Sequence, residues 1–300
     1  MPSDGLLAGT KQQLIRFKAS DGFLVNALLL TNSGERNPSR DRPMLLQVHG
    51  SLGHFLARGT PRLLPHALAE RGIDSLSINT RLAGAGQITG KGIFPDTSKE
   101  IEAAVRFLTE AGFERIFVLG YSLGASMVVY WAAGPGHSPV RGLVLEGCPY
   151  SIPASKLERW RKYGASPTYE EVYARAKELL GDDPYSSAND EIFVAYQSIG
   201  PTHSPGDDEI FTYKTWWFVC GPEAFGTMTY RHIAKIDLPM VLMRGDSDPL
   251  VAEWVPEALT TIAREAGNRN VSVVRIPTAH HDCMENSEAM LDAIERLVSS

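Results

Sequence analysis

The stretch RIFVLGYSLGAS, residues 115–126, changes character halfway along. Its first half is continuously apolar and β-branched enough for a buried strand. Its second half is made of small residues that can open a helix. Only Gly120-Tyr121-Ser122-Leu123-Gly124 lies between them. A strand that turns into a helix with no loop to spare belongs to an alternating α/β architecture. The same stretch puts a serine between two glycines at the turn.

The rest of the chain repeats the alternation. Residues 14–18 and 23–30 pattern as a hairpin, with Asp21-Gly22 as the turn signal. Further strand candidates are 44–48, 73–78, 116–119, 142–145, 240–243 and 271–276. The later ones are apolar throughout rather than alternating, which suits strands covered on both faces of a parallel sheet. Helical stripes fill the gaps at 97–111, 253–266 and 287–298, the first with Gly112 after it and the second with Gly267. This predicts a doubly wound, mostly parallel α/β sheet of about eight strands. From about 150 to 229 the strands stop and helical or loop-like sequence follows, so this stretch reads as an insertion between two strands. It holds seven of the ten tyrosines, with Trp160, Trp216 and Trp217.

A Gly-x-Ser-x-Gly alone is weak; at average residue usage it arises by chance in roughly one chain in ten of this length. A capping serine in a Gly-rich turn is the bland alternative. The strand–turn–helix context favours a serine held in a strained, exposed position, with helix N–H groups aimed at the reacting centre. A serine hydroxyl needs a histidine to take its proton and a carboxylate to orient that histidine. RGDSDP (244–249) follows one strand candidate and PTAHHD (277–282) follows another. In a parallel sheet those strand ends share one edge, where ligands bind.

With QVHGSLG (47–53), GYSLG, GDSDPLV (245–251) and PTAHH in the order Ser, Asp, His, the chain resembles the α/β-hydrolase-fold superfamily. The likeness covers roughly 12–149 and 230–300. It implies a core domain of 1–149 and 230–300 with an inserted, largely helical cap at 150–229. Carried over by position, Ser122 is the nucleophile, Asp248 the acid and His281 the base. Ser51 and Leu123 would supply the two backbone N–H groups of an oxyanion hole. Tyr121, His54, Trp216 and Trp217 are the substrate-binding candidates, Trp216-Trp217 as rings lining the cap; the other reading of these rings is a small core of the cap itself. The expected activity is a serine hydrolase cleaving a carboxylic ester of a small or medium, fairly apolar or aromatic molecule. Amide, thioester, lactone or carbon–carbon hydrolysis would use the same residues, and a ligand receptor of this fold with little turnover is the rival of another class.

Other readings stay open at single positions. Asp246 is a turn residue or the acid; His280 is a surface neighbour or the base. Glu146 stands one strand earlier, where some relatives carry the acid, or is buried and structural. His280-His281-Asp282 suggests a metal, yet adjacent side chains rarely converge on one ion. LAGAGQITG (82–90) lacks phosphate-loop spacing and reads as a flexible turn. No cofactor or metal is implied.

The composition, 43% hydrophobic and 21% charged, is that of a globular chain. The net charge is −6 with no Lys/Arg run, so no footprint for nucleic acid or an anionic membrane is expected. The insertion is mildly acidic, which argues weakly against a polyanionic substrate. Three scattered cysteines, Cys148, Cys220 and Cys283, make no disulfide framework. The first thirteen residues lack the charged and apolar regions of a signal peptide, and no apolar run is long enough for a membrane span. A cytoplasmic protein acting on a small molecule is expected; a homodimer is compatible with the sequence.

Overall fold

The structure, a computed structural model, describes residues 10–32, 41–51, 53–84, 92–135, 139–197 and 208–299. Residues 85–90 of the glycine-rich stretch at 82–90, and residues 198–207 of the insertion, lie outside them.

Strands β1 (Thr10–Lys18) and β2 (Leu24–Asn32) form the expected hairpin, closed by the Ala19 N–H on the Phe23 carbonyl, with Gly22 at φ 86°. Then β3 (Pro43–Val48), α1 (Thr60–Glu70), β4 (Asp74–Ile78), α2 (Thr97–Glu110), β5 (Arg115–Tyr121), α3 (Leu123–Ala132) and β6 (Val140–Glu146) alternate. Helix α1 holds prolines at its N-terminus and at Pro65 inside it, breaker signals under which its sequence does not read as helix.

The chain next leaves the sheet for α4 (Ile152–Lys162), α5 (Tyr169–Leu180), β7 (Ile192–Ala195), β8 (Glu209–Thr212) and α6 (Tyr213–Val219). The insertion is therefore not free of strands: β7 and β8 pair as an antiparallel ribbon. Each is four residues long, too short to leave a readable alternation. The core resumes with β9 (Met240–Gly245), α7 (Val255–Glu265), β10 (Val271–Ile276) and α8 (Ser287–Ser299).

Eight strands make one sheet in the order β1-β2-β4-β3-β5-β6-β9-β10, and only β2 runs against the others. Successive residues of one strand feed opposite faces. Leu45, Phe117, Leu119, Val144, Val241 and Met243 pack on Leu64 and Leu68 of α1 and on Met290, Leu291 and Ile294 of α8. Met44, Leu46, Ile116, Val118, Leu143 and Leu242 pack on Ile101 and Leu108 of α2, Met127 of α3 and Leu259 of α7. Helices cover both faces, so the central strands β3, β5, β6 and β9 are buried along most of their length and read as near-continuous apolar runs. No described helix is long and apolar enough to cross a membrane.

Candidate active site

β5 ends at Tyr121 and α3 begins at Leu123, so Ser122 makes the turn by itself. It sits at φ 55°, ψ −120°, a left-handed backbone that costs an L residue about 1–3 kcal/mol. Its own bonds hold it there: the Ser122 N–H donates to the Glu146 carbonyl (2.8 Å), and its carbonyl accepts from Ala125 (2.9 Å). The flanking glycines answer to crowding. A Cβ on Gly120 would stand 2.5 Å from the Ala125 Cα, and one on Gly124 2.5 Å from the carbonyl oxygens of Val48 and His49. The helix can approach the strand ends this closely only without those side chains.

Three strand ends meet at the serine. The His281 Nε2 lies 2.9 Å from the Ser122 Oγ, and its Nδ1 lies 2.8 Å from the Asp248 Oδ2. The second oxygen of Asp248 accepts from the N–H groups of Leu250 (2.7 Å) and Val251 (3.1 Å). Burial alone would raise the Asp248 carboxyl; the His281 hydrogen bond and charge, with the two N–H donors, outweigh it and hold the pKa below the ordinary carboxylate value. The His281 ring rests on Gly147, where a Cβ would come within 2.7 Å of its Cε1. The loop carrying His281 also holds Thr278 at φ 64°, the other positive φ at a described non-glycine residue.

The neighbouring titratable groups go elsewhere. Asp246 is exposed, and His280 pairs with Glu285 at 2.9 Å. Asp282 takes the N–H of Met284 and lies 2.8 Å from the Thr60 hydroxyl oxygen, so His280, His281 and Asp282 have three separate sets of partners. Glu146 does not face the histidine nitrogens; its Oε1 accepts from the Thr60 hydroxyl (2.6 Å) and the Cys283 N–H (3.1 Å). Full burial pushes its pKa up to about 8.

Leu123 is the first residue of α3, where helix geometry gives its N–H no intrahelical acceptor. Ser51 follows His49-Gly50 at the end of β3. The buried His49 ring accepts the Thr80 N–H at Nε2 (3.2 Å), which leaves the proton on Nδ1, 2.8 Å from the Gly50 carbonyl. Burial lowers the His49 pKa to about 4. In a trans peptide the C=O and N–H point opposite ways. Fixing the Gly50 carbonyl therefore fixes the direction of the Ser51 N–H.

Ser51, Tyr121, Ser122, Leu123 and His281 line one cavity of about 260 Å³. Its other walls come from the insertion and the acid loop, among them Ile152, Phe211, Val219, Leu250 and Val251, with Lys156, Arg159 and Glu209 as the charged members. Two tryptophans expected here are elsewhere. Trp216 is fully buried and packs against Trp160, Tyr169 and Phe193, and Trp217 stacks on Tyr173; neither lines the cavity. They belong to the insertion's own core. His54 is exposed, accepts the Leu56 N–H and is also outside the cavity wall.

Sequence reasoning passed over Arg244 as well. Its guanidinium is buried and donates to the carbonyls of Val251, Gly245, Asp246 and Asp248, tying down the loop that presents Asp248. A charged residue in the last turn of a core strand, where neighbours are apolar, is the signal that was there to read.

The sequence profile described as the Alpha/beta hydrolase family matches residues 46–293, from β3 into α8. The chain belongs to the alpha/beta hydrolase family. No curated protein is similar enough in sequence to count as a match. Solved structures share the fold at low identity. An esterase of Pyrococcus furiosus superposes with a TM-score of 0.63 at 15% identity, covering 96% of this chain and 90% of that one. Est1E of Butyrivibrio proteoclasticus gives 0.60 at 18%, over 96% and 99%. A siderophore hydrolase of Aspergillus fumigatus gives 0.65 at 15%, over 100% of both chains. Membership of this family makes the protein a hydrolase, and these neighbours share its fold.

Proposed function

We propose that the protein is a serine hydrolase that cleaves a carboxylic ester of a small to medium substrate through an acyl-enzyme on Ser122. The observation that carries this reading is the continuous row Ser122 Oγ, His281 imidazole, Asp248 carboxylate at 2.9 and 2.8 Å. His281 takes the hydroxyl proton as Oγ attacks the carbonyl carbon, and Asp248 keeps the imidazole proton on Nδ1 and stabilises the cation that forms. The Ser51 and Leu123 N–H groups hold the charge that develops on the carbonyl oxygen, each contributing about 2.7–4 kcal/mol in comparable sites. His281 then protonates the leaving alcohol, and water, deprotonated by the same imidazole, releases the acid. Residues 150–229 act as a cap that supplies binding surface and no chemistry. Ester cleavage agrees with the two neighbours named as an esterase and a siderophore hydrolase, and Est1E has been solved with ferulic acid bound.

The test is labelling with a fluorophosphonate, followed by mass spectrometry of the modified peptide. The label is expected on Ser122. A label on another serine, or none on folded protein, removes Ser122 from the role.

A further inference from the structure

The charged residues of the cavity do not cancel. Helix α4 presents Ile152, Ser155, Lys156 and Arg159 to it, the spacing of one helix face. From Ile152 to Arg159 that face runs two turns, about 10 Å. Lys156 is buried and forms an ion pair with Glu209, and its ammonium lies 5.2 Å from the Trp160 ring and 5.7 Å from the Phe211 ring. That pair is internally neutral. Arg161, further along, pairs with Glu170 on the outside. Arg159 is half-buried on the cavity wall, and among the described residues its guanidinium has neither a hydrogen bond nor an ion pair. Behind the nucleophile the Asp248 carboxylate is already occupied by His281 and two N–H groups.

One positive charge is thus left over in a small, largely apolar cavity that also holds the serine. A guanidinium is planar, permanently charged and shaped to take a carboxylate on two parallel N–H groups. Partial removal from water strengthens such a pair above the value of an exposed one. Arg159 with nothing to bind pays for its burial without return.

We propose that the ester substrate carries a carboxylate, and that Arg159 binds it and so sets the specificity of the site. This rests on Ser122 being the nucleophile of an ester hydrolase and narrows the substrate from an apolar ester to one with an apolar body and a single anionic end. The Lys156–Glu209 pair keeps the anion at Arg159 by leaving no other free cation on that wall among the described residues.

The carboxylate can sit on the acyl or on the alcohol side, and the test separates the two. In the first arm, p-nitrophenyl monoesters of dicarboxylic acids of increasing length are compared with methyl-capped esters of the same length, after subtraction of spontaneous hydrolysis. In the second, the acetate ester of a carboxylated phenol is compared with its methyl-capped counterpart. A hydrogen bond to a charged group of this kind corresponds to roughly ten- to a hundred-fold in kcat/KM. The wild-type enzyme is expected to prefer the anionic member of one arm by that factor. The preference is expected to collapse in Arg159→Gln, to survive in part in Arg159→Lys and to weaken with added salt. A wild-type ratio at or below one in both arms overturns the proposal, as does a preference that Arg159→Gln leaves intact. The wild-type ratio decides the matter even if Arg159→Gln does not fold. Failure of the underlying reading looks different: no ester of either kind is cleaved, and Ser122 takes no fluorophosphonate.

Discussion

On the proposed mechanism Ser122 is useful for the reason it is strained: a left-handed backbone lifts its Oγ out of the strand end toward His281. The strain is measurable by itself. Ser122→Ala and Ser122→Gly both delete the hydroxyl, but only glycine relaxes the backbone, so Ser122→Gly should be the more stable inactive variant by about 1 kcal/mol. Equal melting temperatures would show that the surroundings remove the strain. For activity, Ser122→Ala or His281→Ala should lower kcat about 10⁴–10⁶-fold and the double variant little more, because the residues act as a unit. His280→Ala and Asp246→Asn should be mild; a dead His280→Ala enzyme would place the base at the wrong histidine. His49 acts one peptide removed from the chemistry, through the Gly50 carbonyl. His49→Ala should therefore lower kcat more than it raises KM, by roughly ten- to a hundred-fold, since a misaligned Ser51 N–H is missed chiefly in the transition state. A rise confined to KM would count against this positioning.

Helix α3 lies against β3 because Gly124 lets it, and α4 and α6 lie together because Trp160 and Trp216 fill the space between them. Gly124→Ala should separate α3 from the Val48 and His49 carbonyls, costing at least 2 kcal/mol and most of the activity, since overpacking against backbone finds no rotamer to yield. Trp216→Ala should cost about 3–5 kcal/mol as a core cavity and shift all esters alike, whereas Phe211→Ala, on the cavity wall, should change the order of ester preference. Melting curves alongside kcat/KM for short and bulky esters distinguish the two. These elements also show what the sequence discloses. Ser122 stood out because it directly follows a plain apolar strand, whereas Asp248 and His281 lie in short loops past β9 and β10 and were singled out over Asp246 and His280 by the resemblance. The hairpin turn at Asp21-Gly22 was legible for a similar local reason. Trp216 was misplaced because an aromatic in a core and one in a pocket leave the same trace in a linear pattern. The β7–β8 ribbon was too short to show a period, and α1 was hidden by Pro65. Arg159 is one cation among several on an amphipathic helix. Its significance lies in the partner it lacks, and pairing is a property of three dimensions.

The molecule as a unit has two buried titratable groups whose effects on stability run in opposite directions. His49 stays neutral when folded down to about pH 4 but gains its proton near 6.5 when unfolded, so it removes stability as pH falls through that window. Glu146 keeps its proton when folded up to about pH 8 but loses it near 4.3 when unfolded, so it removes stability as pH rises. From about 4.3 to about 6.5 the two offset each other; between about 6.5 and 8, of these two, Glu146 alone still acts. The melting temperature should therefore fall across that upper window, and Glu146→Gln, which has no proton to lose, should flatten the decline. An equal slope in the variant would assign the loss to other groups. The sheet's order has a consequence for synthesis. Ser122 precedes His281 by 159 residues, and β9 and β10, which deliver Asp248 and His281, are synthesised after the other strands of the described sheet. A growing chain can complete β5 and α3 around Ser122 early, yet on the proposed mechanism its hydroxyl stays inert until β9 and β10 have emerged. On the proposed mechanism turnover serves as a late signal for folding: an intermediate that lacks the β9–β10 pair should be as impaired as a His281→Ala variant, and recovered activity during refolding should lag the burial of the central strands.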